Sequence, residues 1–213
     1  MKAALIAGSV ALSVLNAPGA HAVGHELETY HAEITAKQGC DNGKDMSCYV
    51  IYLSGNIGQD AERFIQIIKD RNITRAVVIL NSLGGFLDPS LAIAHTIREK
   101  GFTTFVASNV TCSSTCALIW LAGSTRFIQR NAHIGFHGIY TRDGDGNGHI
   151  YKDAKPVPSN SGNAKVGAYL GWLGFSYSAI SQLVAAPPEG MLWLTKPEQA
   201  KELGIKLQTW VEK

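Results

Sequence analysis

The chain lacks any large excess of charge. Nineteen Lys and Arg stand against seventeen Asp and Glu, a formal balance of +2. That removes the electrostatic case for nucleic acid or an anionic membrane surface, both of which call for a basic face. Long apolar runs are also scarce. The one that stands out, Ala3–Leu15, is shorter than the about 20 residues of a membrane-spanning helix. Zinc-type spacing is missing too: neither neighbouring cysteine pair is two residues apart and no His sits at a matching distance, so no metal is expected. There is no internal repeat and no low-complexity composition. With 46% hydrophobic and 17% charged residues, a chain of this length reads as one globular domain with a proper core.

What is present begins with a leader. Met1 and Lys2 give a positive start, the apolar run follows, and "NAPGAHA" ends in an A-x-A site at Ala20–Ala22. This is the layout of a secretory signal peptide over residues 1–22, with cleavage expected before Val23. The expectation is a periplasmic or secreted protein whose residues 23–213 form a single domain. All four cysteines lie in that part, an even number suited to an oxidising compartment. Four cysteines permit three pairings. The local one, Cys40–Cys48 with Cys112–Cys116, is the simplest, because "CDNGKDMSC" is a polar turn between two strand-like segments.

Strand and helix signals alternate along the chain. Thr29–Ala36 and Ser47–Gly55 read as strands, rich in β-branched and aromatic residues. Asp60–Arg71 reads as an amphipathic helix with Asp60 placed to cap it. Arg75–Ser82 is a continuous apolar run, as for a strand covered on both faces. Asp88–Gly101 reads as a helix, Phe102–Ser108 as a strand, and "STCALIWLAG" as a short buried helix. Strands at Arg126–Gln129 and Ala132–Tyr140 follow. This order builds an α/β fold with a largely parallel sheet and crossover helices. Residues 141–162, rich in Gly, Asp, Pro and Ser, read as a long loop or hairpin insertion, expected to be mobile. Helices at 163–174 and 176–186 come next. A short strand, a helix opened by Thr195 and Pro197, and a last strand end the chain.

Within the insertion, "DGDGNG" (Asp143–Gly148) resembles the start of a calcium loop. The position where a closing Glu belongs is Ala154, so little or no calcium binding is expected.

Three features fall in one order. A strand ends in "NSLGG", a second leads to a small-residue turn carrying Ser113 and Ser114, and a third ends in "GFHGIY". Strand ends in such a sheet deliver their loops to one rim. Glycines leave backbone N–H groups open to a developing oxyanion. A serine entering a helix gains from the positive dipole end, and a strand-end histidine can take its proton. His95 and His133 read as structural.

These stretches resemble the Clp protease catalytic subunit family (ClpP), within the ClpP/crotonase fold, over roughly Tyr49 to Ile205. "NSLGGFL" matches the family's Asn-Ser-Pro-Gly-Gly stretch, "CSSTCALIWLAG" its nucleophile helix and "HIGFHG" its histidine strand. "WLTKPEQAKELGI" is similar to its C-terminal signature. The resemblance implies stacked ββα units with C-terminal helices. It implies Ser114 as nucleophile, with His137 as general base. Gly85 and Thr115 would supply the backbone N–H groups of an oxyanion hole. The family's acidic residue has no counterpart, since its slot holds Met191. Glu189, two residues away, is the nearest substitute, and Asp153 a poorer one. No cofactor is implied. The substrate would be a peptide or protein. An ATPase partner is not expected, because exported compartments lack ATP, and homo-oligomerisation stays open because the insertion falls where the family carries a subunit-contact element. Two functions follow: a serine hydrolase using Ser114 and His137, or a non-catalytic binding or scaffold protein that keeps the fold. A crotonase-type acyl-CoA enzyme is a distant third.

Overall fold

The computed structural model describes residues 27–40, 43–145, 149–187, 189–194 and 197–209. The expected signal peptide, its cleavage site, Thr195 and part of the calcium-like stretch lie outside them. The chain begins with β1 (Leu27–Thr29), β2 (Glu33–Cys40), β3 (Asp45–Ser54), α1 (Ala61–Asp70), β4 (Ala76–Asn81) and α2 (Leu87–Glu99). It continues through β5 (Thr103–Val106), β6 (Thr111–Ser113), α3 (Thr115–Leu121), β7 (Arg126–Ile128), β8 (His133–Phe136) and β9 (Tyr140–Thr141). Then come β10 (His149–Tyr151), β11 (Val157–Pro158), α4 (Asn160–Trp172), α5 (Tyr177–Leu183), β12 (Leu192–Leu194), α6 (Pro197–Glu202) and β13 (Gln208–Thr209).

The main sheet has the order β13-β7-β5-β4-β3-β2. All its pairs are parallel except the β2–β3 hairpin. The unbroken apolar run of β4 sits in the middle of this sheet, as a strand covered on both faces requires. A smaller sheet, β12-β8-β6, carries the elements nearest the site, with β6 and β8 parallel and β12 antiparallel to β8.

Helix α3 packs in the core, and every side chain from Thr115 to Leu121 is buried. Trp120 is the largest fully buried side chain, and truncating such a residue costs about 3–5 kcal/mol. The Tyr169 hydroxyl, carried by α4, donates to the Leu118 carbonyl at 2.8 Å. That bond ties the C-terminal helices onto α3, and burial pushes the phenol pKa far up.

Both local disulfides form. Cys40–Cys48 closes the end of the β2–β3 hairpin, and Cys112–Cys116 joins β6 to α3. Loops this short give only about 2 kcal/mol each in the chain-entropy account.

One sequence expectation is corrected. Asp60 does not cap α1 with its side chain. Buried at 3% exposure, its carboxylate instead accepts from the N–H groups of Ala32 (2.9 Å) and Gly58 (2.7 Å), and His31 Nδ1 lies 2.9 Å from its other oxygen. The long-range tether prevails because those donors would otherwise be buried without partners.

The 141–162 segment, read as a long loop or hairpin insertion, carries paired strands over its described residues. β9 pairs with β11, β10 pairs with β1, and α4 already begins at Asn160. Arg142 joins these pieces. Its guanidinium donates to the carbonyls of Ala154, Tyr151 and Lys152 and to the carboxylate of Glu28, each at 3.1 Å.

Candidate active site

Ser114 stands between the end of β6 and the start of α3, with φ 57° and ψ −129°. An L-residue in that region costs about 1–3 kcal/mol and is held only by surrounding contacts. Those contacts are explicit. The Ser114 N–H donates to the Gly135 carbonyl at 2.8 Å, and its carbonyl accepts from Ala117 at 3.0 Å. One residue earlier, the Ser113 N–H donates to the Ser82 carbonyl at 3.0 Å. Ser113 itself is 2% exposed and its hydroxyl donates to the Leu83 carbonyl at 3.3 Å. Of the two adjacent serines, only Ser114 opens into the cleft; Ser113 is a strut beneath it.

The Gly pair packs directly against this turn. Gly84 (φ +98°) approaches so closely that a Cβ there would lie 2.6 Å from the Ser114 Cβ. Gly85 (φ +153°) lies against Ile57, where a Cβ would fall 2.0 Å from the Ile57 carbonyl oxygen. Ile57 grips the pair on both sides, donating to Gly84 O and accepting from Phe86 N–H, each at 2.8 Å. That parallel bridge turns the intervening Gly85 N–H away from Ile57. Neither the Gly85 N–H nor the Thr115 N–H has a hydrogen-bond partner among the described residues. Thr115 is fixed from behind, its hydroxyl 2.9 Å from Ser90 Oγ, which in turn donates to the Phe86 carbonyl at 2.7 Å. Two open N–H groups therefore stand on rigid backbone on either side of the serine.

His137 follows β8 and is 7% exposed. Its Nδ1 lies 2.6 Å from the Gly138 carbonyl oxygen. A carbonyl only accepts, so Nδ1 carries the proton and Nε2 is left as the basic nitrogen. The ring lies against Tyr140, with centroids 5.2 Å apart. Burial lowers the His137 pKa below its ordinary value, and the Gly138 carbonyl partly offsets this.

Ser114, Thr115, Gly85 and His137 line one pocket of about 820 Å³. No hydrogen bond joins Ser114 to His137 among the described residues; such contacts commonly close only when substrate is present.

The remaining expected residues fall as follows. The β12–β8 register places Leu192 opposite Phe136, so Met191 and His137 are the residues next to the last paired ones. The Met191 sulfur packs near Gly135, 3.0 Å from where a Cβ there would sit. Glu189 is exposed on a turn, and no hydrogen bond or ion pair links it to His137 among the described residues. Asp153 is exposed and outside the pocket. His95 lies against Trp172 at 4.4 Å and His133 against Trp193 at 6.2 Å, both away from the cleft.

Sequence reasoning missed the far wall of the pocket. Tyr30 stacks on Phe86 with centroids 5.3 Å apart, beside Gly85, and Glu28 pairs directly with Arg142 at 3.1 Å. It also missed the Gly138 carbonyl behind His137. No side-chain pattern could have announced that acceptor, since it belongs to the backbone.

Among the described residues, no helix is long and apolar enough to cross a membrane, and no group of three or more His, Cys, Asp or Glu is placed to hold a metal ion.

By sequence, no protein-family profile and no curated protein matches the chain. By structure it matches ClpP1 from Listeria monocytogenes with a TM-score of 0.55 at 18% identity, covering 77% of this chain and 91% of that one. A serine-to-alanine mutant of the 1510-N membrane-bound stomatin-specific protease matches with a TM-score of 0.53 at 15% identity, covering 74% and 76%. A lysine-to-alanine mutant of the same protease, in complex with a substrate peptide, gives 0.52 at 16% identity, covering 74% and 72%. With its mixed α/β layers and mostly parallel central sheet, this chain has a ClpP-like fold.

Proposed function

We propose that the protein is an exported serine hydrolase acting on peptides, with Ser114 as nucleophile and His137 as general base. The observation that carries this reading is the pair of unengaged N–H groups, Gly85 and Thr115, flanking a serine held at positive φ. Backbone built so tightly around two open donors suits an oxyanion hole.

In the reaction, His137 Nε2 takes the Ser114 Oγ proton as Oγ bonds to the scissile carbonyl carbon. The carbonyl oxygen becomes an oxyanion facing the Gly85 and Thr115 N–H groups. The C–N bond then breaks, and the imidazolium returns its proton to the leaving amine. Water attacks the acyl-enzyme by the same route in reverse. Throughout, the Gly138 carbonyl holds the ring by Nδ1–H, the place a carboxylate takes in a triad. A carbonyl dipole stabilises the imidazolium less than a full charge does, so turnover is expected to be slow.

Export is supported by the leader-like N-terminus and by two disulfides. Met191, standing in the slot where the family carries its acid with its sulfur beside Gly135, favours the second reading, a ClpP-fold binding or scaffold protein. Labelling of the purified mature protein by a fluorophosphonate, with the modified residue mapped, decides between them. Modification at Ser114 supports the hydrolase; no modification supports the scaffold.

A further inference from the structure

We propose that the Cys112–Cys116 disulfide is a positioning element of catalysis, required for the rate and not only for stability. The proposal rests on the hydrolase reading above. The bond encloses three residues, and each has a distinct place in the site: Ser113 is the buried strut, Ser114 opens into the cleft, and Thr115 presents an open N–H.

Burial alone already fixes helix α3, which is covered along its whole length. Hydrogen bonds to Ser82 and Gly135 fix the strand side of the turn. The angle at which the helix leaves the strand is braced by the Ser90–Thr115 hydroxyl contact and the Ala117–Ser114 hydrogen bond, none of them covalent. That angle decides where Ser114 Oγ stands relative to the Thr115 N–H. A covalent link from the middle of β6 to the second residue of α3 fixes it. Both sulfurs are 0% exposed, which suits a permanent strut better than a surface redox sensor.

The second disulfide supplies the control. Cys40–Cys48 is also local but sits at a hairpin end, and neither cysteine lines the cleft. In a Cys40→Ala/Cys48→Ala background, Cys112–Cys116 is the only bond left to reduce. Protein refolded in reductant keeps both sulfur atoms, so the core loses no volume. The experiment measures the fluorophosphonate acylation rate, kcat and KM on a peptide ester, and Tm, for oxidised and reduced forms.

The expected result is a fall of at least about tenfold in kcat and in acylation rate, with KM little changed, in reduced protein that is still folded. Glutathione disulfide should restore the rate, the two thiols giving two protons and two electrons to yield the protein disulfide and two glutathione thiols. Cys112→Ala/Cys116→Ala should reproduce the loss, and the Cys40→Ala/Cys48→Ala background alone should not. Equal rates in both forms would overturn the positioning role and leave the hydrolase reading intact. Failure of the reduced form to fold at any temperature would assign the bond to stability and overturn it as well. No acylation of the oxidised wild type would remove the hydrolase reading, and the proposal with it.

Discussion

On the serine side of the cleft the polar groups around the turn are engaged, save those that face the pocket. Ser113, Ser82, Ser90 and the Thr115 hydroxyl all have partners, and the open donors are the Gly85 and Thr115 N–H groups. On the histidine side the support is thinner. One backbone carbonyl holds Nδ1, one aromatic ring flanks the imidazole, and the Met191 thioether lies beside Gly135, two residues before His137. The contrast says which step is well provided for. In the proposed hydrolysis, oxyanion stabilisation would rest on rigid backbone, whereas stabilisation of the imidazolium would rely on a dipole.

The largest expected effect comes from removing the proposed nucleophile. Ser114→Ala should lower ester or peptide hydrolysis on the order of 1,000-fold or more and leave Tm nearly unchanged, by stopped assay and calorimetry. His137→Ala should cost nearly as much, because nucleophile and base act as a unit. A mild His137→Ala phenotype would break the comparison, showing that the base lies elsewhere.

Next is the oxyanion side. Gly85→Ala places a methyl group against the Ile57 carbonyl at a φ that L-residues avoid, so the Gly85 N–H must shift. A loss on the order of 100-fold in kcat is expected, together with a lower Tm.

The base side is sharpened by pH. Burial lowers the His137 pKa, so the acid limb of kcat/KM should fall below the usual histidine value of about 6.5. The same shift means that the unfolded chain binds this proton more readily. Stability should therefore decline as pH falls from the unfolded value through the lower folded one. Met191→Asp adds a negative charge in the slot where the family carries its acid, and should move the acid limb upward while raising kcat, measured as a pH–rate profile. The smallest effect belongs to Glu189→Gln. An exposed carboxylate with no link to His137 should change the rate by less than about twofold.

Much of the serine side was legible in the sequence because it is local. The glycines, the Ser-bearing turn and its bracketing cysteines lie in short contiguous stretches whose backbone demands show in residue type. The family resemblance points to Ser114, and the structure buries the Ser113 hydroxyl against the Leu83 carbonyl while Ser114 lines the pocket. The rest depended on partners distant in the chain. Asp60 looks like a helix cap and serves Ala32, 28 residues away. Arg142 sits in what reads as a loose insertion and meets Glu28, 114 residues away. Periodicity and turn chemistry carry no signal for such pairs, nor for a backbone carbonyl behind a histidine.

The link between Glu28 and Arg142 also orders events in time. A chain made from its N-terminus presents β1 long before its partner β10 exists, since Leu27 pairs with Tyr151. The strand bearing the histidine waits longer still for β12, at Leu192–Leu194. Such distant closures come late, because the loop entropy must be lost before the contact forms. The Ser114 turn also waits for β8, because β6 pairs with that strand and the Ser114 N–H donates to the Gly135 carbonyl. A half-made chain thus carries the serine without the assembled cleft, and the proposed hydrolysis would have to wait until nearly the whole polypeptide is present.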